Sequence, residues 1–478
     1  MNSLDLLAML PLLVTGVFSI LVLLLIAFAR NHVAAFVLTL IGFAAAFVSL
    51  FISLPVLPRQ VTELLTLDRF GAYFMGLLFV AAFLVTLLLF GYFRNQGGQK
   101  EEIYVLLLTA TLGSAVLVAA SHFVSFFLGL ETLTISLYTL IAYERGITDR
   151  LEAAMKYLIL AAVSSAFLLF GLALIYARLG TMLLGQATAR IQLGGAGDPI
   201  LLAGLALVVA GVGFKMALVP FHMWTPDIYQ GAAAPVTGFV ATVSKGGVFA
   251  FLLRYFIPDG TTFHHPFFLI LSIIAAASML GGNLLALLQN SVKRILAYSS
   301  IAHLGYLFVA LLAGGSLAVT ATSYYLAAYI VTILAAFGIV SVLSVPGREA
   351  DPISDFRALY WKRPMLATVF TASLLSLAGI PLTAGFIGKF YLAAAGVERT
   401  VYWLVIFLIV TSAIGLFYYL RIIVAMAAQP DDGNVVTWRV SIPVSGGVAL
   451  AGLFIALIWL GVYPRSLLSI IRLFTAGP

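Results

Sequence analysis

The sequence predicts an all-α polytopic membrane protein with about 14 transmembrane helices, two inverted five-helix repeats and two broken helices. Three observations predict it. Of 478 residues, 63% are hydrophobic and 9% charged, where a soluble domain carries about 25% charged residues. The apolar residues fall in runs long enough to cross a bilayer, which takes about 20 residues per helix. Two of those runs carry proline among glycines and polar residues, one per half of the chain.

In chain order the runs cover 4–28, 33–54, 69–93, 102–120, 123–143, 153–177, 199–223, 235–257, 263–288, 294–314, 317–343, 364–395, 401–427 and 439–462. They are unbroken rather than short and alternating, which excludes a porin-like barrel. No polar stretch exceeds a long loop, so no soluble domain is expected. The seventh run contains GVGFKMALVPFHMWTPDIYQGAAAP, with Pro220 and Pro226, and the twelfth contains SLAGIPLTAGFIGKF, with Pro381. Proline frees a carbonyl inside a helix, which a membrane tolerates only where the freed group meets protein or water. Broken spans in corresponding places point to an inverted repeat with a transport site at the breaks. The expected organisation is an N-terminal three-helix segment at 1–100, a first unit at 101–258, a second at 259–430, and a last helix and tail at 431–478.

The net charge of +7 is spread over short loops and is no nucleic-acid signal. Loops after odd-numbered spans hold thirteen of the basic residues, including Arg150, Lys293, Arg294 and Arg348, against eight on the other side, including Arg59 and Arg254. The positive-inside rule then puts both termini outside. Lys293 and Arg294 read as inner-side anchors. The first basic residue, Arg30, follows the first span, so no cleaved signal is expected. With no cysteine, the chain cannot ligate an iron–sulfur cluster through thiolates. No phosphate loop, dinucleotide fingerprint or zinc motif occurs, and His264 and His265 lack further ligands for a metal.

The remaining four basic residues, Lys156, Lys215, Lys245 and Lys389, lie inside spans, as does Glu131. A charge at bilayer depth costs at least about 2.5–3.5 kcal/mol on insertion scales, so such groups mark function by default. Desolvation opposes a charged lysine and a neighbouring carboxylate favours it. A Glu131–Lys215 pair that can loosen is therefore a switchable proton site. Lys245 has small neighbours, Ser244, Gly246 and Gly247, that leave room for water. Lys389 follows the second break and mirrors the first unit. Lys156 stands near a span end, where a lysine can also snorkel. His303, among Tyr298, Ser299, Ser300 and Tyr306, can relay protons through hydroxyls. His222, Tyr229, Tyr324, Tyr325 and Thr383 are weaker candidates.

The segments KMALVPFHMWTPDIYQGAAAPV, VSKGG, KRILAYSSIAHLGY and GIPLTAGFIGKF resemble the antiporter-like membrane subunits of respiratory complex I, the proton-translocating NADH:quinone oxidoreductase, over roughly residues 100–430. FHMWTPD followed by a tyrosine, and SSIAHLGY, resemble one branch of that family. Relatives in the same arm and in sodium/proton antiporter complexes carry a threonine-tryptophan-leucine-proline-aspartate version instead. The resemblance implies that Glu131, Lys156, Lys215, Lys245 and Lys389 fill the family's charged positions. It also implies no cofactor in this chain, with NAD, FMN, iron–sulfur clusters and quinone belonging to partner subunits. The implied partners are a second antiporter-like subunit, the small membrane subunits near the quinone module, and lipid. A short chain without a transit peptide fits a bacterial inner membrane. Two departures appear: Ala232-Ala233 stands where many relatives carry Pro-Thr, and Thr132 where an aliphatic residue is common.

The expected function is proton translocation coupled to quinone reduction elsewhere in such a complex. The competing readings are a subunit of a cation/proton antiporter or membrane-bound hydrogenase complex, and a passive membrane scaffold. The cost of burying five ionisable groups argues against the scaffold.

Overall fold

A computed structural model describes residues 2–94, 99–144, 146–194, 198–256, 265–345, 347–430 and 443–475. Twelve helices among them are long and apolar enough to cross a membrane. Two further crossings are interrupted, so the crossing number matches the sequence reading. In order they are α1 (Leu10–Phe28), α2 (His32–Ser53), α3 (Arg69–Phe93), α4 (Glu102–Ala119), α5 (Phe123–Ile141), α6 (Thr148–Leu179), α7 (Pro199–Lys215) with its continuation α8 (Trp224–Gly231), α9 (Ala234–Phe239) running through a π-helical turn (Val240–Ser244) into α10 (Lys245–Phe256), α11 (His265–Leu287), α12 (Val292–Ala313), α13 (Gly315–Leu343), α14 (Pro364–Ala378) with its continuation α15 (Ala384–Glu398), α16 (Tyr402–Ala427) and α17 (Val444–Val462). A last short helix, α18 (Arg465–Thr475), packs Leu468 and Ile471 against Tyr324 and Leu460.

Local chemistry sets the ends. Asp68 caps α3 by accepting from Gly71 N at 2.7 Å, Asp198 caps α7 ahead of Pro199, and Ser291 caps α12 by accepting from Arg294 N at 3.1 Å. These side chains satisfy amide donors that a helix start leaves free. α6 begins earlier than its apolar run, because Asp149 suits the first turn of a helix and Arg150 and Glu152 are good helix formers. It ends at Gly180, whose φ of 64° suits glycine.

The helices sort into an inner and an outer layer. The crossing made by α9, the π turn and α10 is 100% buried in its apolar window, as is α12, and α13 is 94% buried. These are the crossings that carry Lys245, the Ser299–His303–Tyr306 group and the tyrosines Tyr324, Tyr325 and Tyr329. The outer helices α1, α6, α16 and α17 turn Leu23, Phe170, Phe417 and Ile455 outward. Such broad apolar exposure is stable only against lipid or other membrane protein.

Loops segregate by parity, as alternating crossings require. On one face, strands β1 (Arg59–Val61) and β2 (Leu65–Leu67) form an antiparallel hairpin, in the register Arg59↔Leu67. Leu65 bridges to Ala120, and His122 to Leu183. The opposite face gathers Tyr92, Arg150, Lys293 and Glu349. On the hairpin face the Asp68 carboxylate takes both Arg254 nitrogens, at 2.6 and 2.8 Å. One carboxylate thus caps α3 and pins the end of α10. Asp68→Ala is expected to lower stability by about 1–3 kcal/mol, because the buried part of Arg254 loses a charge-assisted partner. The thermal midpoint of the detergent-solubilised protein checks it: an unchanged midpoint contradicts this account.

Candidate functional site

The first break follows from backbone demands rather than from Pro220 alone. α7 stops at Lys215, five residues before that proline, and Ala217 takes a φ of 56°. Leu218 N reaches back to Gly213 O at 2.8 Å, Val219 N donates to Ser278 Oγ at 2.9 Å, and Trp224 Nε1 donates to Phe214 O at 2.9 Å. A neighbouring side chain and the chain itself so replace the lost helical bonds, as membrane depth demands.

Lys215 is buried at this end and donates to Thr134 Oγ1 at 2.7 Å. Glu131, one turn earlier on α5, instead accepts from Ser165 Oγ at 2.5 Å. The carboxylate and the Lys215 ammonium make no ion pair within 4.0 Å. The expected pair is therefore held apart, with each partner on a hydroxyl of its own.

Lys245 directly follows the π turn and is 1% exposed. A π turn widens the helix by one residue and recurs at functional sites. The ammonium donates to Ser300 Oγ at 2.9 Å and lies 5.1 Å from the Tyr229 ring centre and 6.0 Å from that of Trp224. Ser300 also meets Tyr329 OH at 2.6 Å and Tyr229 OH at 3.3 Å. One turn on, the ring of His303 bonds Tyr325 OH through Nδ1 at 2.6 Å and Tyr419 OH through Nε2 at 3.3 Å, and Tyr419 also meets Ser299. The Tyr306 ring lies against His303, with centroids 5.3 Å apart.

The second break is closed by Lys389 itself. α14 ends at Gly379, φ 83°, and Thr383 caps α15. The Lys389 ammonium donates to Leu377 O at 2.8 Å, Ala378 O at 3.0 Å and Ser412 Oγ at 2.8 Å. It lies 5.1 Å from the centre of the Tyr306 ring, a cation–π contact. Hydroxyls, imidazole and rings thus join Lys245 to Lys389 along α12. Asn283 holds Tyr306 OH at 2.9 Å and accepts from Tyr418 OH at 3.0 Å. Among the described residues no carboxylate lies within 4.0 Å of Lys215, Lys245 or Lys389.

Lys156 stands apart from the three buried lysines. Its side chain is 45% exposed and pairs with Glu152 at 2.7 Å and Asp227 at 3.2 Å. The extra helical turn before the apolar run brings α6 to the surface there. Asp227 also takes Arg294 at 2.8 Å, and these partners hold its carboxyl low against the burial that raises it. Lys293, read as an inner-side anchor, is buried at 1% exposure and paired with Glu349. Of the weaker candidates, Tyr229 and Tyr325 join the line, Tyr324 donates to Leu460 O at 2.6 Å, and Thr383 is a cap. His222 is buried at the first break, with neither ring nitrogen bonded to a described side chain. His264 lies outside the described residues. Sequence reasoning missed Thr134, Ser165, Asn283, Ser412, Tyr418 and Tyr419, whose only signal is a hydroxyl or amide within an apolar run.

Residues 120–415 match the family described as NADH:quinone oxidoreductase/Mrp antiporter, TM. The chain is 46% identical, over 98% of its length and 96% of the relative's, to a protein of Ectopseudomonas mendocina named NADH-quinone oxidoreductase subunit N. It is 49% identical, over the same shares, to one of Nitrosospira multiformis with that name. Among solved structures it resembles a chain of respiratory complex I from Thermus thermophilus with bound aureothin, with a TM-score of 0.81, 33% identity, and 96% and 98% of the two chains covered. The shared fold, the two interrupted crossings and this near full-length identity place the chain in the NADH:quinone oxidoreductase/Mrp antiporter family of membrane subunits, on its subunit-N branch.

Proposed function

We propose that the chain is a proton-translocating membrane-arm subunit of NADH:quinone oxidoreductase, in which the buried lysine line carries the proton. The observation that carries the residue-level reading is the choice of partners. Lys215, Lys245 and Lys389 rest on hydroxyls and carbonyls, not on carboxylates. An ammonium with only neutral contacts keeps or loses its proton according to the surrounding charge. A fixed ion pair would hold it charged throughout. Redox chemistry in partner subunits alters the charge at one end of the chain, and Glu131 moves towards or away from Lys215. With the carboxylate close, Lys215 holds its proton. With it withdrawn, the proton passes by way of Lys245, Ser300, and the His303 ring with its tyrosine hydroxyls towards Lys389. Lys156, tied to Asp227, tunes the first break from its edge.

The first unit is residues 101–258 and the second, inverted unit 259–430, so that the two breaks are equivalent halves of one path. The loops rich in basic residues face the cytoplasm of a bacterial respiratory membrane, both termini lie on the other side, and the partners are further membrane-arm subunits. The antiporter-complex alternative rests on the broader family, whereas the identity of 46–49% to proteins named subunit N favours this reading.

The test is NADH-driven proton pumping by inside-out vesicles carrying Lys215→Ala, normalised to assembled complex. Turnover and pumping should fall together by about a hundredfold or more, the lower range of a positioned acid–base group. Normal values in assembled complex would sink the reading.

A further inference from the structure

Opposite the hairpin face, a cleft of about 460 Å³ runs in between the start of α6 and the end of α8. Its lining includes Arg150, Asp227, Gln230, Lys293 and Glu349. Glu349 comes from the loop after α13, yet it binds four separate elements. Oε1 accepts from Tyr92 OH at 2.6 Å, from Ala234 N at 2.9 Å and from Arg150 Nη2 at 3.5 Å, and Oε2 takes the Lys293 ammonium. Lys293 in turn donates to Gln230 O and Ala232 O, each at 2.7 Å. Burial opposes the charge of Glu349, but Lys293 and Arg150 hold its carboxyl below the usual carboxylate range.

The two ends tied here lead straight to the lysine line. Ala234 is the first residue of the crossing that carries Lys245. Gln230 and Ala232 close α8, whose Tyr229 meets Ser300, the serine that holds Lys245. Lys293 and Ser300 stand two turns apart on the same helix, about 10 Å along its axis. The last turn of α8 is therefore held at its carbonyls by Lys293 and through the Tyr229 hydroxyl by Ser300. We propose that Glu349 is a positioning residue for proton transfer: acting through Lys293 and Ala234, it sets the Tyr229–Ser300–Lys245 contact. The carboxylate touches none of the groups that exchange the proton. It holds the half-helix and the π-turn crossing in the register that lets them meet. This inference rests on the proton-translocating reading above.

The test uses inside-out vesicles and NADH-driven turnover per assembled complex. Glu349→Gln should lower turnover by about tenfold, the scale of one lost charge-assisted bond. Tyr229→Phe removes the contact that Glu349 is argued to set, so it should also slow turnover. Adding Glu349→Gln to Tyr229→Phe should then cost no more than about twofold, since interacting sites are not additive. A purely structural Glu349 predicts that the two losses multiply, which overturns the inference, as does normal turnover in either single variant. Should the glutamine form not assemble, Glu349→Asp keeps the charge but is one methylene short of reaching Lys293 and Ala234 together. It should assemble, turn over more slowly, and lose that effect in the Tyr229→Phe background. Full turnover overturns the proposal. Lys245→Ala run beside these separates the two ideas: if it too is normal, the proton-translocating reading fails first.

Discussion

Replacing Lys245 by alanine is expected to abolish most proton pumping, by at least about a hundredfold per assembled complex, because it removes the ammonium that hands the proton to Ser300 and the hydroxyls beyond it. The side chain is 1% exposed and rests on Ser300 and two aromatic rings. No neighbour can substitute for it: Tyr229 and Tyr329 are buried phenols, and His303 stands a full turn beyond Ser300. Removing a buried ammonium also relieves its desolvation, so the variant should assemble. Ser300→Ala, which leaves the ammonium but takes its acceptor, should be milder. Pumping in inside-out vesicles and the amount of complex on a native gel decide it. Pumping above about a tenth of wild type, with Lys245 gone, means the line does not run through this residue.

Gly385→Ala should prevent accumulation of the folded chain. A Cβ at Gly385 would stand 1.8 Å from Ser376 O and 2.7 Å from Ser376 C, both backbone atoms of the preceding half-helix. The amide of Gly385 donates to Ser376 Oγ at 3.0 Å, so the two half-helices meet through this residue. The methyl can be housed only by parting α14 from α15, which takes Lys389 off Leu377 O and Ala378 O. Overpacking together with unpaired buried carbonyls places the cost above about 4 kcal/mol, among the largest that single substitutions produce. Membrane abundance of the chain checks it, with Gly452→Ala, where nothing lies within 4 Å, as the control. Equal abundance of the two variants contradicts the packing account.

The crossings, the second break and the buried charges were legible because they rest on single-residue properties summed over a window. Apolar length sets a crossing, Pro381 with Gly379 marks an interruption, and a lysine in an apolar run stands out whatever surrounds it. What escaped depends on where distant segments meet. Lys293 beside Arg294 has the pattern of a loop anchor, and only the return of the 344–352 loop brings Glu349 to it. Lys156 and Lys245 both fall within apolar runs, yet one lies on an outward helix and the other at the centre. Hydropathy cannot separate a face turned to lipid from one turned to protein. Thr134 explains why Glu131 and Lys215 stand apart: a hydroxyl one turn from the carboxylate offers the ammonium a nearer acceptor. Asn283 and Tyr418 carry no signal at all until α11 and α16 pack against α12.

The last carbonyls of α14 hold Lys389. The end of a helix carries a partial negative charge of about half an electron. Unlike a carboxylate, it has no proton site of its own. A carboxylate countercharge is itself a proton site, a trap that a passing proton can fill. A lysine beside a helix end has no such trap. Its countercharge is built from peptide geometry, stays constant through the cycle, and cannot be titrated away by the pH on either side of the membrane. The interruption in the twelfth crossing thus supplies a permanent bias towards the cation without competing for what the cation carries.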